Sequence, residues 1–275
     1  MIIIGELINT SRKDIAFAVK NRDRAFIQDI AQKQVEAGAN YVDVNAGTRV
    51  NDEPESLSWL VETVQQAVDA PLCIDSPNPQ AIEAALESHK GQAIINSITA
   101  EKERYEEILP LVLKYNARVI ALCMDDTGMP ETAKQRLAIV EILYKGLTES
   151  GLKAEDIFFD PLVKPISVNV NFGNEVLNTV RQIHQYYPGV HTTCGLSNVS
   201  YGLPNRKLLN QTFLVACMAN GMNSVILDPL DQTIMSLITA SKAVFGRDQY
   251  CRGYLAVQRK NNCEPYFIKS NLEIV

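Results

Sequence analysis

The chain has 275 residues, of which 46% are hydrophobic and 21% are charged, and its formal net charge is −6. This composition is typical of a folded globular protein, and the length suits one (β/α)8 barrel of roughly 250 residues. The negative balance leaves no basic face for a phosphate backbone, which argues against nucleic acid as a partner. The opening residues turn polar at Glu6, too early for a secretory or membrane-spanning segment, so we expect a cytoplasmic protein.

Short apolar runs alternate with longer amphipathic stretches along the chain, which is typical of β-α units that build a parallel sheet. Eight strands are predicted at residues 2–5, 41–44, 72–74, 93–95, 119–123, 157–159, 192–196 and 224–227. Eight helices are predicted at residues 24–37, 55–68, 79–88, 102–115, 132–150, 175–187, 207–219 and 233–244. Gly38, Gly151 and Gly221 follow three of these helices, where a glycine commonly ends a helix.

Two features of this repeat favour a closed barrel over an open doubly wound sheet, which would show the same alternation. The units number eight, and no glycine-rich phosphate loop follows the first strand. The sequence therefore predicts a single-domain (β/α)8 TIM barrel over residues 1–275. Residues 247–275 have no place in the repeat and are expected to form a C-terminal extension against the bottom or edge of the barrel.

The cysteines and histidines show no arrangement typical of a metal site. The six cysteines are Cys73, Cys123, Cys194, Cys217, Cys251 and Cys263. They include no C-x-x-C pair, and four lie inside apolar runs where a reduced thiol packs as a small hydrophobic group. The three histidines do not cluster with Cys or Asp at ligand spacing. We expect free cysteines and no metal bound by the chain itself.

Polar residues close every predicted strand, at the end where a TIM barrel builds its site. They are Glu6, Asn9, Asp43, Asn45, Asp75, Asn96, Asp125, Asp160, Asn198 and Asp228. Any one of them could instead cap the next helix. Together they indicate a ligand rich in hydrogen-bond donors. A 2-amino-4-oxopyrimidine has such a donor pair, which a carboxylate accepts in two parallel bonds, so pterins are candidates.

Seven strings of the sequence resemble the tetrahydrofolate-dependent corrinoid methyltransferases of the pterin-binding barrel family. These are stand-alone enzymes that serve a corrinoid iron-sulfur protein in acetogens, or demethylation pathways such as that of glycine betaine. The strings are IIIGELIN (2–9), YVDVNAG (41–47), CIDSPNPQAIEAAL (73–86), INS (95–97), FFDPL (158–162), GLSNVS (195–200) and NRKLLNQTFL (205–214). The acetogenic members usually read GERIN and NVSQ, where this chain has Leu7 and Tyr201.

The resemblance implies methyl transfer between N5 of tetrahydrofolate and the cobalt of a corrinoid (cobalamin) on a partner protein, with the direction left open. It implies a homodimer. It further implies that Asp75, Asn96 and Asp160 hold the pterin, with Asp43 and Asn45 beside them. By the same resemblance, Asn198 binds near N5 and is the catalytic residue. We expect Asn198 to hydrogen-bond N5, with the proton coming from solvent, because no His or Glu of the set has a claim to that proton.

The corrinoid is expected to arrive on another protein, because the chain lacks the D-x-H-x-x-G pattern of proteins that ligate cobalt through histidine. That partner would dock over the mouth of the barrel. Tyr201, Asn205 and Arg206 are the expected rim contacts, although Arg206 is equally placed for a structural role at the start of a helix.

Two alternatives stay open at this point. Dihydropteroate synthase would share the barrel and the pterin pocket, but its Ser-Arg-Lys segment near the seventh strand is replaced here by GLSNVS. A non-catalytic folate-binding barrel would need the pterin site alone. The presence of Asn198, beyond what holding a pterin requires, favours an enzyme.

Overall fold

The computed structural model describes residues 1–260 and contains eight parallel strands on the inside and helices on the outside. The strands are Ile2–Asn9 (β1), Tyr41–Asn45 (β2), Leu72–Asp75 (β3), Ile94–Ile98 (β4), Arg118–Leu122 (β5), Ile157–Asp160 (β6), His191–Thr192 (β7) and Ser224–Leu227 (β8). The helices are Lys13–Lys20 (α1), Arg24–Glu36 (α2), Glu53–Gln65 (α3), Pro79–Ser88 (α4), Lys102–Lys114 (α5), Ala133–Glu149 (α6), Phe172–Tyr186 (α7), Arg206–Ala219 (α8), Gln232–Val244 (α9) and Arg252–Lys260 (α10).

The strands form one sheet in the order β7-β6-β5-β4-β3-β2-β1-β8. The two outer strands meet through a single parallel bridge between Gly195 and Ile226, which brings the edges of the sheet together. The predicted (β/α)8 TIM barrel is therefore confirmed. The Ile226 N–H donates to the Cys194 carbonyl at 3.1 Å across this seam.

The interior of the barrel is apolar at its base and polar at its mouth. An apolar plug fills the base and consists of Ile4, Tyr41, Cys73, Ile94, Ile120 and Phe158. Side chains two residues apart on a strand point to the same side. The residues two positions beyond four members of the plug are Asp43, Asp75, Asn96 and Asp160. The strands thus carry these polar groups inward, one step above the plug.

Most predicted boundaries lie within three residues of the observed ones, and the differences have local causes. The short helix α1 was not predicted, and α10 lies within the predicted C-terminal extension and contacts α9. Strand β7 ends at Thr192 rather than residue 196, because the chain turns into the 3₁₀ helix Leu196–Ser200. Cys263 and the other residues from 261 to 275 lie outside the described residues. Within residues 1–260, no helix combines the length and apolarity that a membrane crossing requires.

Two of the predicted helix-ending glycines offer a matched test of backbone and packing. Gly151 (φ +100°) and Gly221 (φ +113°) both stand just past a helix end, in a backbone region that disfavours L side chains. A Cβ at residue 151 would have no neighbour within 4 Å, whereas one at residue 221 would lie 2.8 Å from His184 Cδ2.

We expect Gly151→Ala to cost on the order of 1 kcal/mol in the free energy of unfolding, from backbone strain alone. Gly221→Ala should cost clearly more, because His184 must also move. Urea unfolding followed by circular dichroism measures both. Equal losses would contradict the contact with His184.

Candidate functional site

Three side chains form a continuous row at the mouth of the barrel, on β2, β3 and β4. Asn45 pairs in register with Asp75, and Asp75 with Asn96. The Asn45 side-chain amide donates to Asp75 Oδ2 at 2.8 Å, and its carbonyl accepts the Gly47 N–H at 2.9 Å. Both ends of the Asn45 amide are therefore held, and it fixes one oxygen of Asp75. The second oxygen of Asp75 is left to accept a donor from a ligand.

Asp43 lies directly beneath this row, with only 3% of its surface exposed. Its carboxyl group contacts the Cys73 thiol and the Asn96 amide, and its Oδ1 has no hydrogen-bond partner within residues 1–260. Burial, and then the negative charge of Asp75, raise the pKa of Asp43 well above its usual range. Asp43 therefore retains its proton more readily than an exposed aspartate and can donate as well as accept.

Asp160 ends β6 and is buried. Its Oδ1 accepts the Leu162 N–H at 2.8 Å, and the Gly195 N–H also contacts the carboxylate. Burial raises the pKa of Asp160 to about 7, although both N–H groups and the charge of Arg136 act in the opposite direction. Near neutral pH the group therefore exists in both forms, and a ligand with two N–H donors would favour the ionised one.

A cavity of about 320 Å³ opens beside the row of Asn45, Asp75 and Asn96. It combines a polar edge with an apolar wall from the end of β5. Its lining is formed by Asp75, Ser76, Pro77, Asn96, Ser97, Thr99, Glu101, Arg104, Leu122 and Met124. Such a lining suits a flat ring with hydrogen-bonding atoms along one edge.

Asn198 stands on the 3₁₀ helix Leu196–Ser200, which follows β7. Its residue is exposed, and a Cβ on Gly195 would lie 3.4 Å from Asn198 Nδ2. Because the Gly195 N–H contacts Asp160, one short segment connects the β6 carboxylate to Asn198. The Asn198 amide therefore lies close to the Gly195 main chain and is exposed at the mouth.

The opposite side of the mouth contains a second, acidic cavity of about 280 Å³. Burial raises the pKa of Glu6, the charge of Arg12 lowers it, and Asp228 raises it further. The Asn210 Oδ1 is buried there without a partner within the described residues. The lining comprises Glu6, Leu196, Ser197, Lys207, Asn210, Ile226, Leu227, Asp228, Leu230, Asp231 and Ile234.

Asp228 accepts the N–H of Leu230 at 2.8 Å, as a turn cap does, and also lines the acidic cavity. Two other strand-end residues, Asn9 and Asp125, act as turn caps and line neither of the two cavities. Asn9 Oδ1 accepts the Ser11 N–H at 2.9 Å. Asp125 Oδ1 accepts both the N–H and the hydroxyl of Thr127, at 2.9 and 2.6 Å. For these two positions the capping interpretation accounts for the residue type.

The expected rim residues lie together between β7 and α8. Tyr201 is 67% exposed. Asn205 precedes α8 with a left-handed backbone (φ +48°). Arg206 donates to Ser200 Oγ at 3.0 Å and to the Ser197 carbonyl at 2.7 Å, and its guanidinium lies 5.9 Å from the Tyr201 ring centre. The structural role that the sequence left open for Arg206 is therefore present.

Sequence reasoning missed two arginines beside the acidic groups. Arg104 lines the cavity next to Asp75, and Arg136 is fully buried near Asp160. A signal was available, because both stand in the first turn of a helix, where a positive charge opposes the helix dipole. No group of three or more His, Cys, Asp or Glu side chains in residues 1–260 is arranged to hold a metal ion.

The fold and this row of acids and amides define a TIM barrel with a donor-binding pocket at its mouth. Residues 5–228 match the pterin binding enzymes, and the chain belongs to that family.

Known proteins similar to the chain extend this assignment. It is 37% identical over 271 residues to the methylcorrinoid:tetrahydrofolate methyltransferase of Eubacterium limosum, covering 96% of this chain and 98% of that protein. It is 29% identical to the methionine synthase of Mycobacterium tuberculosis over 82% of this chain and 20% of that protein. These relatives confirm the resemblance to the tetrahydrofolate-dependent corrinoid methyltransferases of this family.

Solved structures confirm the fold. The 7,8-dihydropteroate synthase of Vibrio fischeri superposes with a TM-score of 0.67 at 16% identity, covering 90% of this chain and 93% of that one. A dihydropteroate synthase of Yersinia pestis gives 0.65 at 17% identity, with 88% and 93% covered. At this identity the likeness concerns the barrel alone.

The raised pKa of Asp160 predicts a pH-dependent cost to the fold. Above its folded pKa of about 7 the protein must bury a charge, whereas between about 4 and 7 the folded state keeps the proton. Stability that comes from the neutral acid is therefore complete below about 4, is lost progressively as the pH rises from about 4 to 7, and stays constant above 7. An asparagine stays neutral throughout.

We expect Asp160→Asn to melt at a higher temperature than the wild type at pH 8, with the difference shrinking towards pH 5. Differential scanning calorimetry at both pH values measures it. Asp126→Asn, at an exposed position of the β5–α6 loop, is the matched control. The same offset at both pH values would contradict the buried ionisation.

Proposed function

We propose that this protein is a methyltransferase that moves a methyl group between N5 of tetrahydrofolate and the cobalt of a corrinoid carried by a partner protein. The row of Asn45, Asp75 and Asn96 is the observation that carries the proposal, because it presents acceptors to a donor-rich ring edge. The similarity to the Eubacterium limosum methyltransferase over nearly the full length supports it.

The proposed pterin site fits the hydrogen-bonding pattern of the folate ring. A 2-amino-4-oxopyrimidine offers a ring N–H and an amino group on one edge, and a carboxylate accepts both. Asp75 and Asp160 supply such carboxylates, and the Asn96 amide both donates and accepts. Asp43 lies below the row and contacts the Asn96 amide, so it supports the pocket from beneath.

Asn198 is the proposed catalytic residue. Breaking the N5–methyl bond leaves electrons on N5, so a hydrogen bond and then a proton at N5 must accompany transfer to cobalt. The exposed Asn198 amide can orient N5 by a hydrogen bond that strengthens as charge develops there. It has no proton of its own to give, so the proton comes from solvent. In the reverse direction the same amide orients the free N5 lone pair.

The corrinoid supplies a cobalt atom that accepts or gives the methyl group. We propose that its carrier protein docks on the mouth of the barrel, where loops expose large apolar side chains. These are Val50 at 81%, Met129 at 46%, Val168 at 75%, Val170 at 81% and Tyr201 at 67% exposed. Clustered exposed apolar residues are typical of an interaction surface. Tyr201, Asn205 and Arg206 remain the proposed rim contacts beside Asn198.

The name of the Eubacterium limosum relative makes a methylcorrinoid the donor and tetrahydrofolate the acceptor. This supports the same direction for the present chain. We further propose a homodimer in the cytoplasm. Five cysteines within the described residues are free, and four of them are buried, which agrees with a reducing compartment.

Dihydropteroate synthesis is the second candidate, because the barrel resembles such synthases. The GLSNVS segment that carries Asn198 argues against it. The test follows the corrinoid spectrum with methyltetrahydrofolate plus cob(I)alamin, and with tetrahydrofolate plus methylcobalamin. Methyl exchange in either direction supports the methyltransferase, whereas consumption of p-aminobenzoate without methyl exchange would overturn it.

Asp75→Asn and Asp160→Asn are expected to weaken folate binding roughly ten- to hundredfold, because each loses a charged acceptor for the N–H groups of the ring. Isothermal titration calorimetry with tetrahydrofolate measures the Kd. Asp125→Asn, which alters only a turn cap, is the control and should bind as the wild type does. Wild-type affinity in both site variants would refute the proposed pterin site.

Asn198→Ala is expected to lower kcat by roughly 10² to 10³ while folate binding changes much less, because the hydrogen bond forms mainly in the transition state. Stopped-flow spectroscopy of the corrinoid gives kcat, and calorimetry gives the Kd. Asn178→Ala on the outer helix α7 is the matched control. An unchanged kcat would exclude the catalytic role.

A further inference from the structure

Three arginines share one arrangement at the mouth of the barrel, and we call Arg104, Arg136 and Arg206 the loop arginines. Each stands in the first turn of a helix, α5, α6 or α8. Each donates to main-chain carbonyl groups within a few residues of a proposed site residue. A cation in the first turn of a helix opposes the helix dipole, so helix stability does not explain these positions.

Arg104 connects the backbone after Asp75 to the backbone after Asn96. Its Nη1 donates to the Pro77 carbonyl at 2.6 Å and its Nη2 to the Ser76 carbonyl at 2.9 Å. Its Nε and Nη2 both donate to the Ser97 carbonyl, at 3.0 and 2.7 Å. One guanidinium therefore holds the two segments at a fixed separation.

The Ser97 carbonyl needs such a partner because the β4–β5 ladder is irregular at this point. Asn96 pairs with Ile120, but Ile98 pairs with the next residue, Ala121. Ser97 is thus the extra residue of a bulge, whose backbone groups lack a regular ladder partner. The bulge directly follows Asn96, which lines the cavity, and Arg104 stabilises the bulge from the side.

Arg136 holds the loop that follows Asp160. It is 0% exposed, its Nε donates to the Pro161 carbonyl and its Nη2 donates to the Leu162 carbonyl at 3.2 Å. Leu162 has a left-handed backbone (φ +60°) and returns its N–H to Asp160. The arginine thus holds the strained loop whose N–H group orients the carboxylate.

Arg206 contacts the 3₁₀ helix that carries Asn198. It bonds the Ser197 carbonyl and the Ser200 hydroxyl, which flank Asn198 in the 3₁₀ helix. A lysine has one point charge and could not reproduce these two-directional bonds.

We propose that the loop arginines are positioning residues of the folate site. Arg104 and Arg136 set the pterin-binding carboxylates, and Arg206 sets the catalytic amide. The inference rests on the proposed function for the roles of those three groups. It goes beyond that function in assigning folate affinity and turnover to different arginines, because each acts only through the segment that it holds.

The test uses the variants Arg104→Lys, Arg136→Lys and Arg206→Lys in the full chain. These variants keep the positive charge and lose the planar guanidinium that bonds in two directions. Arg104→Lys and Arg136→Lys should raise the Kd for tetrahydrofolate on the order of tenfold, with kcat at saturating folate within about threefold. Arg206→Lys should lower kcat on the order of tenfold and leave the Kd within about threefold. Calorimetry measures the first quantity and methyl exchange with methylcobalamin the second.

Arg24→Lys is the matched control, because Arg24 bonds Thr63 and Gln66 on the outer layer and should change neither quantity. If the three variants lose affinity and turnover in parallel with their melting temperatures, the arginines are merely structural and the proposal fails. If Arg136→Lys does not fold, the opposite effects of Arg104→Lys and Arg206→Lys decide. A wild type that binds folate without methyl exchange would refute the proposed function. In that case the Kd values of Arg104→Lys and Arg136→Lys would still test whether these two arginines position the pterin site.

Discussion

The incomplete hydrogen bonding of buried acids is the constraint on which the rest of this structure depends. Asp43, Asp75 and Asp160 lie in a low-dielectric interior that raises the pKa of each. The described residues supply only part of their hydrogen bonds, and we propose that a donor-rich ring binds to the acceptor positions that remain. Affinity and selectivity then share one cause, since a ligand without that donor pair leaves the acids unsatisfied.

In β2, β3, β4 and β6 the inward-facing residues are of two kinds. The inner residue nearer the base is apolar and fills the plug, and the inner residue two positions later is polar and faces the mouth. The plug separates the acids above it from the base of the barrel. The arginines of the outer helices hold the carbonyl groups around these acids. A rigid base and a supported mouth explain how charged groups can remain near one another without collapsing the fold.

The sequence predicted the barrel and the position of the acids at its mouth, because both follow from periodicity, while their binding role stays a prediction. Asp75, Asn96 and Asp160 end apolar runs, so their position at the mouth follows from strand polarity. The role of Asn198 came from resemblance, since the irregular end of β7 has no periodic signal. Arg104 and Arg136 stand in the first turn of a helix, which was an available signal, but the carbonyl groups that they bond depend on a bulge and a left-handed residue, which leave no pattern in the side-chain sequence.

The seam between β7 and β8 has a broader consequence. The pair Gly195 and Ile226 is the last bridge across it, so the segment from residue 196 to 206 continues outside the regular strand ladders. Substitutions at exposed positions of this segment, such as Tyr201, change the surface of the mouth without changing the ladders that join β2, β3 and β4. Descendants of one ancestral barrel could in this way acquire new chemistry at the seam while inheriting an old recognition pocket intact.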